Sequence, residues 1–281
     1  MLRRFEHKVE THHRRSRSLA TVVTIALVSV MVLAGCRSGT SKGPDPTVEP
    51  ISGPTNGPAP TLTSDQISVG SLIDRIDAAW PTVRNSREIT WSGTSSDSIG
   101  TPPPDQTVTT EELVLPSSRR VVVTTGGKPS DDQIAISGAV FFKGAFVVGA
   151  VAPLAGADTW VQVDPSIVPP DSIVGQRLSY LTGPIVPPYD TVTDDLRARA
   201  ATPAGRVLVD GRACDAFTFV DTTSNGSKID YALSLDDRNL PCSLVQSAGG
   251  YENITVYEFN TPNLVIAAPE TATPVSATPE G

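Results

Sequence analysis

The chain has 281 residues, a formal net charge of −8, 25 prolines, 22 glycines, three cysteines and three histidines. An acidic surface repels nucleic acid and anionic lipid headgroups, so no nucleic-acid partner is expected. The residue types that most often build nucleophilic triads and zinc sites are scarce, and their positions decide whether they count at all.

The N-terminus is basic, with Arg3, Arg4, Lys8, Arg14, Arg15 and Arg17 against Glu6 and Glu10. An uncharged run, LATVVTIALVSVMVLAG, follows from Leu19 to Gly35. A basic segment, an apolar segment and small residues at its end are the pattern of a secretory signal. Leu33-Ala34-Gly35-Cys36 resembles a bacterial lipobox. That resemblance implies cleavage before Cys36, a lipid on its sulfur, and a protein held by that lipid to the outer face of the cell membrane. Cleavage removes His7, His12 and His13 together with Met1 and Met31. A mature chain without imidazole has no Ser-His-Asp or Cys-His catalysis and no Cys/His zinc site. It is also more acidic, at about −12 by the same count.

Residues 36–66 are dominated by Gly, Pro, Ser and Thr and read as a disordered tether, able to hold the domain about 50 Å or more from the membrane if extended. Residues 67–267 are long enough for one sizeable domain, and 268–281 read as a loose tail.

The domain opens on SVGSLIDRIDAAWP. Val69, Leu72, Ile73, Ile76, Ala79 and Trp80 recur at helical spacing, Ser68 is placed to cap and Pro81 to stop. Strands follow: REITWSGTS, alternating at Ile89, Trp91 and Gly93, then TVTTEELVLP, RRVVVTTGG, DDQIAISG, AVFFKG and TWVQVD. Residues 164–205 are proline-rich and apolar, and predict two short helices or lid-like loops, packed on the sheet's own core or closing a ligand cavity. The last third, from AGRVLVDG to YENITVYEFNT, reads as an antiparallel meander. With so few helices the sheet is antiparallel and curled. Cys214 and Cys242 are left as a disulfide or as two buried thiols. Simple hairpin counting puts them on strands flanking a common neighbour, too far apart unless a strand end bends or bulges.

The runs SLDDRNLPC and YEFNTPNLVIAAP, with EELVLPSSRRVVVTTGG and TWVQVD before them, resemble the LolA/LppX-LprG-like superfamily of exported lipoproteins. The resemblance implies an α+β, mainly β fold: a strongly curved antiparallel half-barrel with an N-terminal helix and a helical or loop insert over its concave face. It implies binding of lipid or acyl chains for transport through the envelope, with no enzyme activity, cofactor or metal. Candidate cavity residues are Leu72, Ile76, Trp80, Trp91, Val122, Ile136, Phe141, Leu178, Leu181, Phe217 and Phe219. A non-catalytic interaction module with the same fold and a filled interior is the alternative. The neighbouring carboxylates Asp131-Asp132, Asp194-Asp195 and Asp236-Asp237 point opposite ways on extended chain and read as solvated turn residues, not an acid–base pair. The sequons at Asn225 and Asn253 read as turn and strand.

Overall fold

The structure is a computed structural model that describes residues 62–93, 99–145, 148–149, 152, 155–189, 192–223 and 226–275. The expected signal, Cys36 and most of the tether lie outside them. A two-residue strand, β1 (Ile67–Ser68), leads into helix α1 (Val69–Ala79). Ser68 caps it as expected, its Oγ accepting from the Ser71 N–H at 3.0 Å. Pro81 lies in the 3-10 turn Trp80–Thr82 that closes it. The apolar stripe Val69, Leu72, Ile73 and Ile76 is buried.

The strands then run β2 (Asn85–Gly93), β3 (Thr107–Val114), β4 (Ser118–Thr125), β5 (Lys128–Ile136), β6 (Ala139–Gly144) and β7 (Val161–Val163). An insert with helices α2 (Ile173–Thr182) and α3 (Asp194–Arg197) separates them from β8 (Ala200–Val209), β9 (Arg212–Thr222), β10 (Lys228–Leu235), β11 (Pro241–Ala248), β12 (Tyr251–Phe259) and β13 (Thr273–Val275). All belong to one curved, unclosed sheet of order β1-β8-β9-β10-β11-β12-β2-β3-β4-β5-β6-β7-β13. Two meanders, β2–β7 and β8–β12, are joined by β12 pairing with β2. Among the described residues the pairings are antiparallel except that of β7 with β13. The expected mainly β, half-barrel class is the observed one. Thr273–Val275, however, was expected within a loose tail and instead pairs with Val161–Val163. That short edge strand caps β7, whose other neighbour is β6.

Alternation along the strands gives the sheet two faces. One carries α1 and α2. On the other, a row of alternating charge crosses four strands in register, Glu258 of β12, Arg87 of β2, Glu112 of β3 and Arg120 of β4, and ends diagonally on Asp132 of β5, the partner of Val122. Arg87 reaches Glu258 at 3.2 Å and Glu112 at 2.9 Å, and Arg120 reaches Asp132 at 2.7 Å. Asp132 is therefore a strand residue in an ion pair, not the solvated turn residue expected. Asp194 and Asp195 begin α3 behind the Thr193 cap, and Asp236 shapes its turn by accepting from the N–H groups of Arg238 and Leu240.

Cys214 and Cys242 form a disulfide, with Cα atoms 6.6 Å apart. β10 lies between their strands but ends at Leu235, opposite Asp215. Ser234 pairs with Ser243 whereas Leu235 pairs with Pro241, so Cys242 is the extra residue of a bulge. The bond joins β9 to β11 where β10 has left the ladder, which removes the distance objection. It sits in a cluster on the face opposite the helices, with Trp91, Val209, Ile254 and Val256.

Candidate functional site

On the helix-bearing face the sheet holds two apolar clusters. In the first, α1 lays Leu72, Ile73 and Ile76 against Phe217, Phe219, Leu233, Leu244, Tyr257 and Phe259 of β9–β12. In the second, α2 lays Val174, Leu178 and Leu181 against Val121, Ala135, Val140, Phe142, Val161 and Val163 of β4–β7. Ser172 caps α2 by accepting from the Gly175 N–H at 3.0 Å. Gly175 is required there, because a Cβ on it would lie 2.1 Å from the Pro169 carbonyl oxygen. This close approach folds the Pro169-Pro170 segment against the first turn and aims the helix across the sheet.

Between the clusters run β2 and β3, and here the face is polar. Tyr257, Glu88 and Glu111 stand side by side on β12, β2 and β3 in register. Arg119 follows on β4, one step along from Val121, the partner of Glu111. Its guanidinium pairs with Glu111 at 3.1 Å, lies 4.6 Å from the centre of the Tyr180 ring, and donates to the Tyr180 backbone carbonyl. The Tyr180 hydroxyl donates to Glu111. Farther along the insert, the Tyr189 hydroxyl donates to that of Tyr257 at 3.1 Å. Tyr180 and Tyr189 thus dock the insert onto the sheet through polar bonds placed between two apolar patches.

Two carboxyl groups facing each other across a ladder repel when both are ionised. Burial pushes the Glu88 carboxyl up to about 8, Glu111 adds to the rise and Arg119 opposes it. Glu111 is also raised by burial, against Arg119, the Tyr180 hydroxyl and Arg177. Burial lifts all three phenols, Tyr180, Tyr189 and Tyr257, so they stay neutral donors.

A cavity of about 240 Å³ opens where the insert ends over the sheet, lined by Ala135, Ile136, Leu181, Pro184 and Ile185 among others. Leu181 and Ala135 connect it to the apolar cluster beneath α2. An open groove of about 580 Å³ lies where β8 parts from β9, lined by Arg199, Phe219, Val220 and Tyr231 with polar neighbours. Arg199 ion-pairs with Asp221 at 3.4 Å there, and the rings of Phe219 and Tyr231 stack at 4.9 Å.

Of the candidate cavity residues, Leu72, Ile76, Trp80, Phe217 and Phe219 meet in the α1 cluster, and Leu178 and Leu181 in the α2 cluster. Trp91 lies on the opposite face with the disulfide, and Phe141 and Ile136 belong to a second cluster there with Ile134 and Ile266. Ile136, at the hairpin end, also reaches the smaller cavity. Val122 lies between Val121 and Val123 and turns away from α2. For Trp91, Val122 and Phe141 the cavity assignment is therefore corrected: Trp91 and Phe141 fill apolar clusters on the other face, and Val122 lies on that face half-buried between Thr110 and Asp132. Glu88, Glu111, Arg119 and Tyr257 are not singled out by the sequence, and Tyr180 and Tyr189 count there only as apolar residues of the insert. The available signal was the strand register, which brings Glu88 and Glu111 together from 23 positions apart.

No family model matches the chain, and no curated protein matches it. Among solved structures, the chain is similar to the Mycobacterium tuberculosis lipoprotein LppX, at 13% identity and TM-score 0.42, over 70% of this chain and 98% of that one. It is similar to Pseudomonas aeruginosa MucB bound to MucA, at 14% identity and TM-score 0.29, over 69% of this chain and 57% of that one. It is also similar to an outer membrane lipoprotein-sorting protein domain from Vibrio parahaemolyticus, at 7% identity and TM-score 0.21, over 69% and 93%. These likenesses are distant, so what the site does has to be read from this chain's own residues.

Proposed function

We propose that this protein is an exported lipoprotein, anchored through a lipid on Cys36, whose domain holds an apolar ligand of the acyl-chain class between the sheet and the insert. The observation that carries the reading is the cavity of about 240 Å³ under the end of the insert, continuous with the apolar underside of α2. It is smaller than the roughly 300–1,000 Å³ of most ligand sites. An acyl chain therefore enters by displacing the insert and taking over its contacts with Val121, Ala135 and Phe142. Ten buried methylenes are worth about 8 kcal/mol, roughly a micromolar Kd before ordering costs. The histidine-free mature chain fits a role that breaks no bonds.

The test is uptake of a fluorescent fatty acid by the full-length protein, compared with Ile185→Asp. Ile185 lines the cavity and is only half-buried. A carboxylate there meets the entering chain and weakens uptake about tenfold or more. Absence of uptake by the unaltered protein sinks the reading.

One observation favours a second reading, a non-catalytic interaction module with a filled interior. Leu72, Ile76, Val140 and Phe142 retain no exposed surface on the helix-bearing face. A protein that never lifts its insert would show the same packing, and would take up no fatty acid.

A further inference from the structure

We propose that Glu88 and Glu111 form a proton-held latch for the insert: while the pair keeps a proton, Tyr180 and Tyr189 stay docked, and its loss to water frees residues 173–189 to lift from the sheet. The latch rests on the reading of the insert as a movable cover, and adds what controls the movement.

The geometry is a charge count in a confined place. Glu88 and Glu111 are direct cross-strand partners on the helix-bearing face. The charged and titratable groups facing the pair are Arg119 from β4, Arg177 and Tyr180 from α2, Tyr189 from the loop after it, and Tyr257 from β12. Arg119 is already committed, to Glu111, to the Tyr180 carbonyl and to the Tyr180 ring. Among the described residues no ion pair to Glu88 is formed, and Arg119 is the one cation that lowers it. When it ionises, the added charge faces Glu111 across a ladder that α2 and the Tyr189 loop cover. Both carboxyl groups are half-buried under that cover, so water relieves the added charge in part while it is down and fully when it lifts.

The cover is also held under tension. Tyr189 has φ +74°, a left-handed conformation unfavourable for a bulky residue. Its hydroxyl bond to Tyr257 is what the fold gains there. Releasing the loop recovers the backbone preference, so the docked and lifted states are closer in free energy than the packing of α2 alone would make them.

The direction follows from linkage. Glu88 binds its proton more tightly with the insert docked than with it lifted, where water returns the carboxyl toward its ordinary range. Docking is strongest in acid, weakens as pH rises from about 5, and levels off above about 8.

Hydrogen exchange read by mass spectrometry tests this on the full-length protein in phosphatidylcholine nanodiscs, whose lipid content is the same at every pH and in every variant, from pH 5 to 9.5. After correction for the intrinsic pH dependence of exchange, opening of residues 173–189 is expected to grow several-fold per pH unit between 5 and 8 and then flatten. β9–β12 should show no such trend. Glu88→Gln, which mimics the protonated acid, should hold the insert closed across the range. Tyr189→Phe should raise opening by a constant factor at every pH. A flat wild-type profile, the same slope in Glu88→Gln, or no effect of Tyr189→Phe would overturn the latch. The readouts are slopes and ratios taken at one constant lipid content, so they do not turn on whether disc lipid is bound. A protein that takes up no fatty acid but shows the pH slope keeps the latch and loses the acyl-chain reading, and the converse result does the reverse.

Discussion

Replacing Cys214 and Cys242 together by alanine removes a covalent link across a sequence separation of 28. In the loop-entropy picture a closure of that length raises the free energy of the unfolded chain by about 3.6 kcal/mol at 25 °C. Both cysteines are fully buried beside Trp91, Ile254 and Val256, so lost sulfur contacts add about 1 kcal/mol. The assay is urea unfolding followed by circular dichroism. With a slope of about 2.5 kcal/mol/M for a domain of this size, the midpoint falls by about 1.5–2 M. The slope itself should rise, because the unlinked chain exposes more surface when unfolded. Reductant added to the unaltered protein should reproduce most of the shift. A midpoint change below about 0.4 M, or an unchanged slope, would refute the idea that this link constrains the unfolded chain.

Glu88→Gln should stabilise the whole domain above pH 5. The raised carboxyl makes the native state bind a proton that the unfolded chain has lost, so its stabilisation is complete below about 4.5 and gone once pH passes about 8. At pH 7 the variant should gain on the order of 2 kcal/mol, discounted for the partial exposure and coupling of Glu88, and thermal melts from pH 4 to 9 would show the gap widening and then levelling. Trp91→Ala should cost about 3–5 kcal/mol in chemical unfolding yet leave fatty-acid affinity unchanged, because Trp91 packs on the face away from the helices; a large loss of affinity in the folded variant would return it to the cavity. Cys36→Ser should abolish the lipid and, because the cut is made before a lipidated Cys36, leave the signal attached, read as a larger unlipidated precursor by mass spectrometry and blotting.

Elements with a strong period were readable from the sequence. Ser68, the stripe from Val69 to Ile76 and Pro81 specify α1 locally, and the structure places each in the role its chemistry suggests. The faces of the strands were harder. In REITW the alternation of Ile89 and Trp91 marks one buried side and leaves Glu88 to the other, which in a half-exposed sheet would be water. Here both sides are covered, so the same alternation is satisfied with Ile89 and Trp91 against the disulfide cluster and Glu88 beneath the helices. The acid pair was hidden for that reason: each carboxylate looks like an ordinary surface residue until the β2–β3 register is known. The disulfide depended on one bulged residue at Cys242 and on where β10 stops, neither of which leaves a compositional trace. The β13 strand, Thr273–Val275, is three residues long with a proline in its centre, and only its parallel pairing with β7 identifies it.

The acyl-chain reading is tested most directly by native mass spectrometry of the full-length protein extracted from its membrane, run beside the same sample denatured. A lipid on Cys36 is covalent and persists in both spectra. The reading predicts a further mass in the native spectrum, one apolar molecule per chain, that vanishes on denaturation and is competed off by added fatty acid. A native mass equal to the denatured one, with no uptake on addition of fatty acid, would contradict it and leave a filled interaction module in its place.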